Sequence, residues 1–343
     1  MDPSSYKDVV NTRGFKYHYY HVPARDQHPT IVFVHGFPNT SRDWRRVIPF
    51  FEQKGYGIIA PDMLGYRGTD KPTDYNAYQF SLLTKDIVDI LDVEGVKQAV
   101  AVGHDWGAFI VSRLANFYPE RFLAYATLCV PYVLPDPNYT YEGYVKKFED
   151  LLGFNAIEYW DFFTQEGAAK LMEDKIESFM CTLFPIPDRS SGERKKTFTV
   201  KNAVQLALQN NYRSPLPEYM TETEQQHFIE TFRKGGFAAP LSYYKIMVNE
   251  GRRGDDAAIP EERRVPPVST PLFFGAALRD SICHPDWGRT EMRGEAFKDH
   301  NVTIREFDGN HWILLDADTV GEVNRELGIW IENVVLPSVG GSA

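Results

Sequence analysis

The stretch Val102-Gly103-His104-Asp105-Trp106-Gly107 follows a short apolar run and precedes an apolar helical pattern. Glycines on either side of one polar residue suit a tight strand-to-helix turn that presents the residue at its tip. That residue is Asp105. Its carboxylate is already ionised at neutral pH and needs no base before it attacks. Such a group suits displacement at a saturated carbon, which leaves an ester on the protein. Capping the following helix is the ordinary duty of an aspartate in this position; the flanking glycines and the preceding strand favour the nucleophile.

A covalent ester must be opened by water, and histidine is the usual base because its pKa lies near physiological pH. In FDGNHWILLDAD, His311 follows the strand pattern NVTIREF and a glycine-containing turn, which predicts a place at the carboxyl end of a sheet, beside Asp105. His227 and His300 read as structural. A carboxylate that orients the imidazole should also follow a strand. Asp280, after PLFFGAALR, meets that requirement, with Asp286 as the second candidate, although Pro285 marks Asp286 as the cap of a following helix.

The segment HGFP, residues 35–38, directly follows another strand pattern. The backbone N–H groups of Phe37 and Trp106 are predicted to stabilise the oxyanion that forms when the ester is hydrolysed. His35, Gly36 and Pro38 are then turn residues, with His35 stabilising the turn rather than acting as a second base. No HExxH, paired Cys-x-x-Cys or GxxxxGK[ST] pattern occurs, so neither a metal nor a cofactor is expected.

These residues need a scaffold that brings strand ends together. TIVFVHG, GYGIIAPD, QAVAVGH and LAYATLCV read as strands, alternating with helical stretches at 42–53, 80–91 and 107–118. The alternation predicts an α/β protein with a mostly parallel central sheet covered by helices. Strand patterns stop near Pro131 and resume after Pro267, so a helical lid is expected at 135–267, between core segments at 1–134 and 268–343. The charged run RRGDDAAIPEERRVPP at 252–267 reads as a solvated connection back to the core.

Composition excludes several classes. The 343 residues carry a net charge of -10 without a basic stripe, which argues against nucleic acid as a partner. No apolar run approaches the roughly 18 residues of a membrane span, and the first residues show no export pattern, so a cytoplasmic protein is expected. Cys129, Cys181 and Cys283 are too scattered for a disulfide framework.

HGFPNTSRDW, GHDWG and the helix-ending NFYPERF together resemble the soluble type of α/β-hydrolase-fold epoxide hydrolase, over nearly the whole chain. The resemblance implies the α/β-hydrolase fold with its nucleophile, acid and histidine in the order Asp105, Asp280, His311. It also implies conversion of a small apolar epoxide and water to a vicinal diol, without a cofactor. That family protonates the opened epoxide from two lid tyrosines. EYWDFFTQEG resembles the segment of the first, Tyr159, and GGFAAPLSYYKIM that of the second, Tyr244, with Tyr243 one register step away. Trp160, Phe162 and Phe163 would line an apolar pocket or simply form lid core. A haloalkane or haloacid dehalogenase with the same triad is the competing enzyme, and a ligand receptor on a hydrolase-like core the competing non-enzyme.

Overall fold

The structure, a computed structural model, describes residues 1–186 and 197–340. Eight strands form one sheet: β1 (Tyr6–Val10), β2 (Lys16–Val22), β3 (Thr30–Val34), β4 (Gly57–Pro61), β5 (Ala99–His104), β6 (Phe122–Leu128), β7 (Leu272–Ala277) and β8 (Val302–Phe307), in the spatial order β1-β2-β4-β3-β5-β6-β7-β8. From β4 to β8 every neighbouring pair is parallel. β1 and β2 form an antiparallel hairpin, and β2 pairs antiparallel with β4. This hairpin is absent from the pattern of apolar runs because its strands are rich in Tyr, His and Lys, and β1 lies at the sheet edge with a half-wet face.

β3, β4 and β5 are buried at every residue, as strands covered on both faces must be. The helices of the first core segment are α1 (Ile48–Gln53), α2 (Phe80–Val93) and α3 (Trp106–Phe117). The helix expected at 42–53 is two elements, a 3-10 turn at Ser41–Trp44 and then α1. Pro49 explains the break, because it lacks an N–H and is tolerated only in the first turn of a helix.

Between β6 and β7 the described residues form α4 (Tyr141–Leu152), α5 (Tyr159–Phe163), α6 (Ala168–Asp174), α7 (Ile176–Leu183), α8 (Ala203–Gln209), α9 (Glu222–Gly235), α10 (Ser242–Val248) and α11 (Gly251–Ala257). After β7 come α12 (Pro285–Met292) and α13 (Ala317–Trp330). Among the described residues no helix is long and apolar enough to cross a membrane.

The charged run at 252–267 is only partly the solvated connector expected. Arg252, Asp255 and Asp256 in α11 are buried. Asp256 accepts from Arg113 Nε of α3 at 2.9 Å and from Arg252 Nε at 2.6 Å, while Arg113 Nη1 donates to the Val133 carbonyl at 2.7 Å. Arg252 also stacks over Phe109 and Tyr139. The outgoing and returning ends of the helical segment are therefore clamped onto the helix that follows Asp105.

Candidate active site

β5 ends at His104 and α3 starts at Trp106, so Asp105 occupies the single-residue turn between them. Its backbone lies at φ 56° and ψ −126°, a conformation that costs a non-glycine residue about 1–3 kcal/mol. The surroundings hold it there: Asp105 N donates to Leu128 O at 3.3 Å, and Ala108 N donates to Asp105 O at 2.9 Å. The turn also needs its glycines. A Cβ on Gly107 would run into the Val34 carbonyl, and one on Gly36 would run into the Asp105 carboxylate.

Phe37 N donates to Asp105 Oδ1 at 2.8 Å. The loop that supplies this amide is braced by His35, whose Nδ1 lies 2.9 Å from Gly36 O and whose Nε2 accepts from Met63 N at 2.9 Å. The Phe37–Pro38 peptide is cis. Both ring nitrogens of His35 are therefore engaged by backbone groups of the turn and of Met63. Trp106 opens α3 immediately after the nucleophile candidate, which puts its amide in the first turn of that helix.

His311 Nε2 lies 3.5 Å from Asp105 Oδ2, and His311 Nδ1 lies 2.8 Å from Asp280 Oδ2. The other Asp280 oxygen accepts from Ile282 N at 2.7 Å and Cys283 N at 2.8 Å, so the carboxylate is fixed through both oxygens. The structure thus brings Asp105, His311 and Asp280 together, all three buried. Asp286 is elsewhere: it sits in the first turn of α12 and pairs with Arg289, and the cap of that helix is His284. His300 bonds to Pro266 O, and His227 lies on α9.

Burial alone would push the His311 imidazole down, but the charges and hydrogen bonds of Asp280 and Asp105 outweigh it and hold its pKa well above the usual value. Burial would likewise raise Asp105, yet the hydrogen bond and charge of His311, with the Phe37 amide, keep it below the ordinary carboxylate value. The resting arrangement is therefore an imidazolium between two carboxylates.

Sequence reasoning missed the groups that pin His311 from behind. Its carbonyl lies 2.9 Å from His104 Nε2 and accepts a longer contact from Cys129 Sγ at 3.6 Å. Burial, followed by the neighbouring His311 charge, depresses His104 to about 4, so it stays neutral. The only signal available was its place at the end of the central strand. Cys283 was missed too: its thiol, an Asp105 oxygen and a His311 nitrogen lie within 4.8 Å of one another.

Tyr159 opens α5 and Tyr244 lies in α10, with ring centroids 5.8 Å apart. Tyr244 packs edge-on against Phe37, Trp106 and Phe163, at 5.1, 5.1 and 4.9 Å. Tyr243 faces away and donates to Leu64 O at 3.1 Å, which separates the two neighbours. Burial first, and then nearby negative charge including Asp105, pushes both Tyr159 and Tyr244 well above their usual pKa, so both keep their protons. Trp160 and Phe163 join this aromatic group, and Phe162 packs behind Phe163.

A cavity opens beside Asp105, walled by Trp106, Tyr159, Trp160, Cys283 and Trp287. Its mainly apolar lining is that of a small-molecule site. The chain's residues 29–318 match the family model described as alpha/beta hydrolase fold. The chain belongs to the α/β-hydrolase fold family. Within that family it is similar to the protein named bifunctional epoxide hydrolase 2 of Mus musculus, with 30% identity over 91% of this chain and 53% of the relative. It is also similar to epoxide hydrolase A of Mycobacterium tuberculosis, with 28% identity over 87% of this chain and 89% of the relative. The chain spans about half the length of the mammalian relatives it matches. Among solved structures, epoxide hydrolase A from Mycobacterium thermoresistibile superposes with a TM-score of 0.74 at 25% identity, covering 96% of this chain and 98% of that one.

Proposed function

We propose that this α/β-hydrolase converts a small, largely apolar epoxide and water to a vicinal diol through an ester on Asp105. The observation that carries this reading is a carboxylate at the tip of the turn, held by the Phe37 amide and His311, with two protonated tyrosines grouped nearby. The relatives' names support it.

Because Asp105 Oδ1 is engaged by Phe37 N, Oδ2 attacks an epoxide carbon and the carbon–oxygen bond breaks. Tyr159 and Tyr244 hydrogen-bond the ring oxygen, and one of them supplies its proton. The resting His311 imidazolium gives its proton back to the tyrosinate so formed, and the now neutral His311 takes a proton from water as the water oxygen adds to the Asp105 carboxyl carbon. Phe37 N–H and Trp106 N–H stabilise the resulting oxyanion. Collapse breaks the bond to the substrate oxygen, which takes the proton from His311 and leaves as the diol, and the freed carboxyl group passes its proton to His311 to restore the resting carboxylate and imidazolium. Asp280 holds the imidazole in orientation and balances its charge throughout. An apolar pocket keeps the nucleophile poorly hydrated, which strengthens it.

The same proposal assigns 135–267 as a lid over the core formed by 1–134 and 268–343, supported by the position of α4 to α11 between β6 and β7. It includes a cytoplasmic place, supported by three buried cysteines that form no disulfide. The deciding experiment is a single turnover of a styrene-oxide-type epoxide in heavy-oxygen water with excess enzyme. Label in Asp105 and ordinary oxygen in the first diol support the ester; label passing straight into the diol overturns it.

A further inference from the structure

A second, smaller cavity, with room for about one water, lies against His311. Its walls include His311, Asn310, Ser281, Thr182, Thr197 and Ile282, and Ile282 also lines the cavity beside Asp105. The two spaces thus adjoin the catalytic groups with one shared side chain in their walls. Their chemistry differs in degree: the first is faced mainly by aromatic rings, whereas this one adds hydroxyl groups and an amide to an apolar wall that includes Phe198 and Trp312.

Asn310 is 7% exposed. Its Oδ1 accepts from Trp312 N at 2.9 Å, which fixes the sense of the amide and leaves Nδ2 buried without a hydrogen-bond partner. The Tyr219 hydroxyl is close enough to feel the same amide, yet it too completes no hydrogen bond of normal geometry. A buried donor left unmatched costs about 1–3 kcal/mol. Small polar cavities offering such groups are where ordered water is retained in proteins.

We propose that this cavity is the water store for the second half of the reaction, with Asn310 as the positioning residue that retains the water beside His311. The inference rests on the ester reading given above. Once the ester has formed, the substrate's own carbon skeleton fills the apolar cavity, so water arriving from that side would have to displace it. Water from the polar side reaches His311 by passing Ile282. There its proton goes to His311 Nε2 and its oxygen bonds to the Asp105 carboxyl carbon. The bond from that carbon to the substrate oxygen then breaks, and the departing alkoxide takes the proton from His311.

The test separates the two chemical steps by rapid quench with excess enzyme, measuring ester by mass spectrometry. Thr182→Met fills the cavity from α7 while leaving every triad residue unchanged, and Asn310→Leu removes the unmatched donor. Both variants are expected to form ester at the wild-type rate and to hydrolyse it about ten-fold more slowly or worse, with the acidic limb of ester hydrolysis unmoved. Wild-type hydrolysis rates in a folded Thr182→Met or Asn310→Leu protein overturn the store. A slowed rate accompanied by a displaced limb also overturns it, because that signals a misplaced His311. If the wild type itself forms no ester, the proposed function falls and the store with it; ester that forms and decays normally in the variants defeats the store alone.

Discussion

His311 stands between two carboxylates at unequal distances, with Nδ1 2.8 Å from Asp280 and Nε2 3.5 Å from Asp105. The short contact orients the ring, and the long one leaves Asp105 Oδ2 free to attack. Replacing His311 with Gln is therefore expected to spare alkylation and stop at the ester. Ester hydrolysis should slow by about 10²–10⁴-fold, the usual contribution of a positioned base. Intact-protein mass spectrometry after mixing with epoxide should show stable addition of one substrate mass; an unmodified protein would refute the two-step assignment.

Protonation follows the same asymmetry. In the resting protein the two carboxylates hold the His311 pKa well above 6.5, while Asp105 is held below the ordinary carboxylate value. Esterifying Asp105 removes one of the two negative charges, so the His311 pKa must fall and the ring becomes a free base when water has to be activated. Lowering the pH thus reprotonates His311 in the ester before it protonates Asp105 in the resting protein. Ester should accumulate in mildly acid solution, with hydrolysis slowed and alkylation intact. Rates of both steps measured across pH check this, and a common acidic limb for both would refute it.

Tyr159 and Tyr244 both retain their protons and pack near each other, with Tyr159 in the wall of the cavity beside Asp105. A hydrogen bond to a group developing charge contributes about 1.5–3 kcal/mol, so each Tyr→Phe change should slow alkylation by roughly 10–100-fold. Tyr243→Phe serves as the contrast, because its hydroxyl is committed to Leu64 O and it should leave the alkylation rate alone. Equal losses at positions 243 and 244 would contradict the assignment.

The elements nearest the chemistry were legible because they rest on short-range rules. The buried strands read as apolar runs, and Gly103, Gly107 and Gly36 mark backbone approaches that no side chain survives. Asp280 was separable from Asp286 because the proline before Asp286 forecasts a helix start. His104, Cys129 and Cys283 were not legible, since their roles come from distant strands converging on His311. The β1–β2 hairpin escaped because β1 is an edge strand with a half-wet face and β2 beside it is rich in Tyr, His and Lys. Arg252 and Asp256 escaped for a different reason: in sequence they sit in a run of charges, and only the fold supplies the buried partner, Arg113.

That network yields the last prediction. Asp256 is wholly buried and faces two guanidinium groups, Arg113 and Arg252, while also accepting from Asp136 N at 2.8 Å. Removing the carboxylate leaves two buried cations without their shared counter-charge, a change that typically destabilises by about 3–5 kcal/mol. Arg113 lies on the helix that Asp105 precedes, and its Nη1 holds the Val133 carbonyl where the chain leaves the core. Asp256→Leu should therefore lower the denaturant midpoint sharply, far more than Asp286→Leu, whose ion pair with Arg289 is solvent-exposed and worth about 0–1 kcal/mol. Chemical denaturation of the two variants beside the wild type decides it, and similar midpoints for both would mean that the buried cluster does not hold the helical segment to the core.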